Sequence, residues 1–112
     1  MDTRTKIVPT QQAADIAASG AFVVSGYFDP VLAWHASRLQ ELKRKDAPLL
    51  VLVAAPERPI LSARARAELL AGLKAVDYVC EATDGIMPHF QLEEEDARGL
   101  EALIARVYAR NA

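Results

Sequence analysis

The sequence predicts a three-layer α/β/α sandwich built on a parallel sheet, and three observations carry that expectation. Segments with helical spacing alternate with short apolar runs along the whole chain. The runs lack the in–out alternation of a half-exposed strand, as expected for strands covered on both faces. The chain has 112 residues, 52% of them hydrophobic and 25% charged, enough for one domain with a real core and too apolar for disorder.

After Lys6-Ile7-Val8, residues 10–18 are good helix formers with Thr10 as N-cap, and Gly20 stops that helix. Ala21-Phe22-Val23-Val24-Ser25 reads as a strand, and Gly26 to Pro30 as a turn. From Val31 to about Lys45, apolar residues fall at helical spacing, with basic residues in the last turn. Residues 49–55 form the strongest strand, which Pro56 to Pro59 breaks. Ser62 caps a helix to about Lys74, Tyr78 to Ala82 is a third strand, and residues 83–89 are loop. A last helix, Glu93 to Arg110, has acids first and arginines last, with Leu100, Leu103, Ile104, Val107 and Tyr108 as its apolar stripe. Helix–strand alternation of this kind yields a parallel sheet with right-handed crossovers. Ligands bind such sheets outside the carboxyl ends of the strands, which points to the turn after Val24.

Charge and composition exclude several classes of function. Thirteen basic against fifteen acidic side chains give a net charge of −2, no basis for nucleic-acid or anionic-membrane binding. The single cysteine, Cys80, excludes an internal disulfide framework and a cysteine-based zinc site, and reads as a small buried hydrophobe. No run reaches a membrane span, and the first residues lead into no signal-peptide core, so the expected location is cytoplasmic. His89 has no second ligand at metal-binding spacing, so no metal site is expected there. Nucleotide phosphate-loop, dinucleotide and hydrolase-elbow motifs are absent.

The stretch Gly26-Tyr27-Phe28-Asp29-Pro30-Val31-Leu32-Ala33-Trp34-His35, following an apolar strand, resembles the nucleotidylyltransferase superfamily signature. There a strand ends in G-[TCS]-F-D and H-x-G-H opens the next helix. Arg58-Pro59-Ile60-Leu61-Ser62, Arg66-Ala67-Glu68-Leu69-Leu70 and Val76-Asp77-Tyr78-Val79 are similar to the second block of that family. Within the superfamily, residues 6–82 are similar to the adenylyltransferase domains of bifunctional heptose-phosphate kinases and to glycerol-3-phosphate cytidylyltransferases. The resemblance implies a Rossmann-like sandwich of the nucleotidylyltransferase type. It further implies phosphate binding at Gly26, Tyr27, Phe28 and Asp29, with Arg58 and Arg66 assisting, and a catalytic role for His35. The implied cofactor is Mg²⁺ with ATP or CTP, the acceptor a sugar or polyol phosphate, and self-association as a homodimer is expected.

The sequence departs from the motif where its chemistry is made. Family histidines donate hydrogen bonds to phosphate as charge shifts, and such preorganised donors are worth ~3–4 kcal/mol each in other enzymes. Here Leu32 replaces the first histidine, and Trp34 replaces the glycine, placing bulk where ligand should approach. A longer segment after the second strand and a late phosphate block also lack counterparts. These departures favour a non-catalytic domain, binding nucleotide or a protein partner, over an active transferase.

Simpler readings stand beside these. Gly26 serves the turn's backbone, Tyr27 and Phe28 pack, and Asp29 caps the next helix. His35 lies on the apolar side of its helix, Trp34 is a plug or interface anchor, and Arg64 and Arg66, at i and i+2 on a helix, are solvated. Glu93-Glu94-Glu95-Asp96 is a solvated first turn that complements the helix dipole.

Overall fold

The computed structural model describes residues 2–83 and 85–96. Its sheet has four parallel strands: β1 (Phe22–Gly26), β2 (Leu49–Val53), β3 (Tyr78–Cys80) and β4 (Phe90–Gln91), in the order β3-β2-β1-β4. Three helices accompany them: α1 (Thr10–Ala18), α2 (Ala33–Leu42) and α3 (Ala63–Ala71). Residues 93–96 are also helical; the remainder of the expected last helix, with its stripe from Leu100 to Tyr108, lies outside the described residues. The architecture is the Rossmann-like three-layer sandwich that the alternation predicts.

Strand periodicity sorts the core into two layers. Leu49, Val51 and Val53 of β2 join Val24 of β1 beneath α2 and α3, against Leu39, Ala67, Leu70 and Ala71. Leu50, Leu52 and Val23 point the other way, toward Ala13, Ile16 and Ala17 of α1 and toward Ile86. Successive strand residues thus bury on opposite faces, which is why β2 is apolar at all five positions. Cys80 lies in the α1-side layer, 1% exposed.

Several features differ from the sequence expectation: β2 ends at Val53 rather than Ala55, α3 at Ala71 rather than Lys74, and β3 at Cys80 rather than Ala82. α2 starts at Ala33 rather than Val31, with Leu32 at its N-cap, and ends at Leu42. Its expected last turn unwinds because Lys43 leaves the helix to pair with the carboxylate of Asp77. Pro9, not Thr10, is the N-cap of α1. β4 falls between the expected loop, residues 83–89, and the expected last helix, where the sequence suggests no element: a two-residue strand behind Pro88-His89 is too short to show any period. It is pinned beside β1 by His89, whose N–H donates to Val23 O at 2.7 Å while its Nδ1 accepts Val23 N–H at 3.0 Å. That pairing, with the ring stacked on Phe22, gives His89 a structural role. Near the chain start, a short 3-10 helix, Thr3–Lys6, leads to Ile7, which bridges Val79 at the β3 edge.

Asp77 also accepts the N–H of Leu49 at 2.7 Å, locking the α2–β2 connection. Burial works to raise its pKa. The hydrogen bond from Lys43, the N–H of Leu49 and the charges of Lys43 and Lys6 outweigh burial and hold it below its ordinary 3.8. A folded-state pKa below the unfolded one adds stability at neutral pH that disappears as pH falls through the folded value. Asp77→Asn is therefore expected to flatten the acid limb of the stability curve below pH 3.8, leaving its shape above pH 5 or so unchanged. Denaturant melts across pH check this. The effect is modest, because the carboxylate is 37% exposed and screened.

Among the described residues, no helix is long and apolar enough to cross a membrane.

Candidate functional site

β2 and β3 lie to one side of β1 and β4 to the other, so chain direction across the sheet reverses at β1. At that reversal the carboxyl ends of the strands leave a crevice, the usual ligand position in this architecture. Here it forms a cavity of about 150 Å³. Its walls are Tyr27, Asp29 and Pro30 after β1, Leu32 and His35 of α2, Pro56, Arg58 and Ile60 after β2, and Asp96.

Gly26, the last residue of β1, allows these groups to converge. A Cβ there would stand 2.7 Å from the Phe28 ring and 2.8 Å from Asp96 Oδ2, so no larger residue fits without displacing both. Phe28 then takes φ +50°, a left-handed conformation that a bulky residue rarely adopts. The reward is burial: Phe28 is fully enclosed in the core, with its ring 5.1 Å from that of His35.

His35 is 2% exposed and hydrogen-bonded at both ring nitrogens. Nδ1 accepts the N–H of Leu32 at 2.8 Å, the reach-back of a third helical residue to its N-cap. Nε2 pairs with Asp96 Oδ1. An acceptor at Nδ1 carries no proton, so this pattern puts the imidazole proton on Nε2, donated to Asp96. The other oxygen of Asp96 accepts Tyr27 N–H at 2.7 Å, and its carboxylate is only 7% exposed. Trp34 covers the ring with a centroid separation of 3.9 Å. Trp34 does not line the cavity: one residue earlier on the helix than His35, it stacks on the imidazole instead of plugging the crevice.

Asp29 does not cap α2. Its carboxylate takes the N–H groups of Ile60 at 2.6 Å and Leu61 at 2.8 Å, tying the β1 turn to the loop after β2. Arg66 holds the same loop from beneath. Rather than being solvated, it is 3% exposed. Its Nη1 donates to Tyr27 O at 2.8 Å and Ala54 O at 2.9 Å, and its Nε to Leu61 O at 3.2 Å and Ser62 O at 3.4 Å. Those carbonyls end β1, end β2 and open α3, whose N-cap Ser62 accepts Ala65 N–H at 3.0 Å.

The structure thus brings Tyr27, Asp29, His35 and Arg58 to one cavity. Gly26, Phe28 and Arg66 support it from outside its lining. Arg58 is exposed at the rim, and among the described residues no carboxylate pairs with it. Arg64 points away and pairs with Glu68.

Sequence reasoning missed Asp96. Its run is not a solvated turn: Asp96 binds His35, Glu95 pairs with Arg38, and Glu93 accepts the Ser25 hydroxyl at 2.7 Å. Only Glu94 of the four is exposed. A signal was available, because a helix that starts where the sheet reverses brings its first-turn acids to the crevice. Reading it required β4, which the sequence does not reveal. Among the described residues, no three His, Cys, Asp or Glu side chains come together as a metal site.

Compared with known proteins, the chain matches no family model, and no curated protein is significantly similar to it.

Proposed function

We propose that the chain is a non-catalytic binding domain of nucleotidylyltransferase type, which keeps the crevice and has turned the catalytic position to structural use. The observation that carries this reading is the state of His35. Its proton is directed at Asp96 and its other nitrogen at Leu32 N–H, leaving no ring donor for a phosphate oxygen. Leu32, at the other histidine position, has no donor side chain.

Two further features support the reading. A 150 Å³ cavity is well below the ~300–1,000 Å³ of ordinary cofactor sites, too small for base, ribose and phosphates together. Among the described residues, its wall carries the carboxylates Asp29 and Asp96 against one side-chain cation, Arg58, a poor setting for a triphosphate. Both carboxylates are held in place by N–H donors, and among the described residues no three His, Cys, Asp or Glu side chains converge on a metal, so the residues present fit a Mg²⁺–nucleotide complex poorly.

Turnover separates this reading from an active transferase. With ATP or CTP, Mg²⁺ and a panel of sugar and polyol phosphates, the expected result is no pyrophosphate release above the buffer rate. Enzyme-dependent release that vanishes in His35→Ala, while the fold persists by circular dichroism, would establish a transferase.

A further inference from the structure

The size, lining and charge of the cavity define a ligand class other than a nucleotide. We propose that the crevice binds a ring-sized organic monoanion, a free small molecule of the benzoate type, with the ring in the cavity and the carboxylate on Arg58. This deepens the binding-domain reading and rests on it.

The volume sets the size of the ligand body. An apolar cavity of ~150 Å³ accommodates one benzene ring in other proteins, and this cavity has that volume. The lining sets the polarity. Pro30, Leu32, Pro56 and Ile60 supply apolar surface to the lining. The two carboxylates and the imidazole that also face the cavity are already paired. Asp29 holds Ile60 and Leu61 N–H, while Asp96 holds Tyr27 N–H and His35. An apolar ring entering there leaves each of these bonds intact, so it strands no buried polar group.

Charge sets the headgroup. Arg58 is the one side-chain cation in the lining and has no acidic partner among the described residues. A guanidinium accepts a carboxylate through two parallel N–H···O bonds. The single charge follows from the neighbours. A single carboxylate gains the paired hydrogen bonds of Arg58 against the repulsion of Asp29 and Asp96, whereas each added negative charge meets the same repulsion with no second cation in the described lining to pair with. Benzoate is therefore favoured over phenyl phosphate, and both over ATP.

Amide chemical shifts of the intact chain test this, with benzoate, benzyl alcohol, phenyl phosphate and Mg²⁺-ATP titrated in turn. Benzoate is expected to shift Tyr27, Leu32 and Ile60 saturably with a Kd on the order of 1 mM. Benzyl alcohol, which keeps the ring and loses the charge, is expected to bind about ten-fold more weakly, and Arg58→Ala to weaken benzoate by a similar factor. Arg58 is exposed, so that variant folds; Leu32→Phe fills the cavity and is expected to abolish the shifts. The proposal is overturned if benzoate produces no saturable shift, if it binds no better than benzyl alcohol, if Arg58→Ala leaves its affinity unchanged, or if phenyl phosphate or ATP binds more tightly. None of these outcomes bears on pyrophosphate release, so this proposal and the non-catalytic reading fail separately.

Discussion

Replacing Arg66 with alanine is expected to destabilise the fold by about 2–4 kcal/mol, because carbonyls lose their donors and a large buried side chain leaves a void. The reason is what the guanidinium holds. It satisfies the carbonyls of Tyr27, Ala54, Leu61 and Ser62, which lie on three different segments. Removing it leaves Tyr27 O and Ala54 O without their 2.8 and 2.9 Å donors and opens a void at 3% exposure, where water enters poorly. Lysine is not a remedy, because a single ammonium lacks the planar fork that reaches carbonyls in different directions. Arg66→Lys is expected to retain less than half of the lost stability. Urea unfolding of both variants measures this. A loss below about 1 kcal/mol for the alanine variant, typical of an exposed side chain, would mean that the arginine is not the clamp described.

Asp96→Ala is the second large effect, expected at about 3 kcal/mol. It orphans two buried donors together, the Nε2–H of His35 and the N–H of Tyr27. Asp96→Asn keeps one acceptor but turns an amide N–H₂ toward the other donor, so it is expected to recover only part of the loss. The double variant His35→Phe/Asp96→Leu removes both partners of the side-chain pair and fills the space with apolar groups. Pairs replaced in this way are often neutral, but here the N–H groups of Tyr27 and Leu32 also lose their acceptors, so part of the cost remains. The double variant is expected to be more stable than Asp96→Ala, and the coupling of the two sites follows from the double-mutant cycle. Additive effects of the two positions would show that His35 and Asp96 do not act as a unit.

Strands β1 to β3 and the layers are legible because each rests on local pattern. All five positions of β2 are apolar and buried, and Ser62 announces α3 by a cap that the structure contains. The crevice was legible too, since Gly26 ends an apolar strand ahead of a helix. The pairing inside it was not. Asp29 has a side chain suited to capping, yet its partners Ile60 and Leu61 lie about thirty residues away in a loop whose path no periodicity encodes. Arg66 sits at a helical position that would be solvated on an isolated helix. Only the packing of α3 against the ends of β1 and β2 buries it. Asp96 waited on β4, a strand of two residues held by a histidine side chain. Sequence thus reports what neighbours in the chain decide, while the site is assembled from segments that meet only after folding.

The central claim is that His35 is a structural histidine whose two ring nitrogens are both committed. The most direct measurement is the imidazole nitrogen spectrum of the labelled protein at neutral pH, which distinguishes a protonated from an unprotonated ring nitrogen. The arrangement requires an unprotonated Nδ1, a protonated Nε2 coupled to the Asp96 carboxylate, and no change in either signal when Mg²⁺-ATP is added. A proton on Nδ1, or ring signals that move with nucleotide, would contradict it and return His35 to the phosphate.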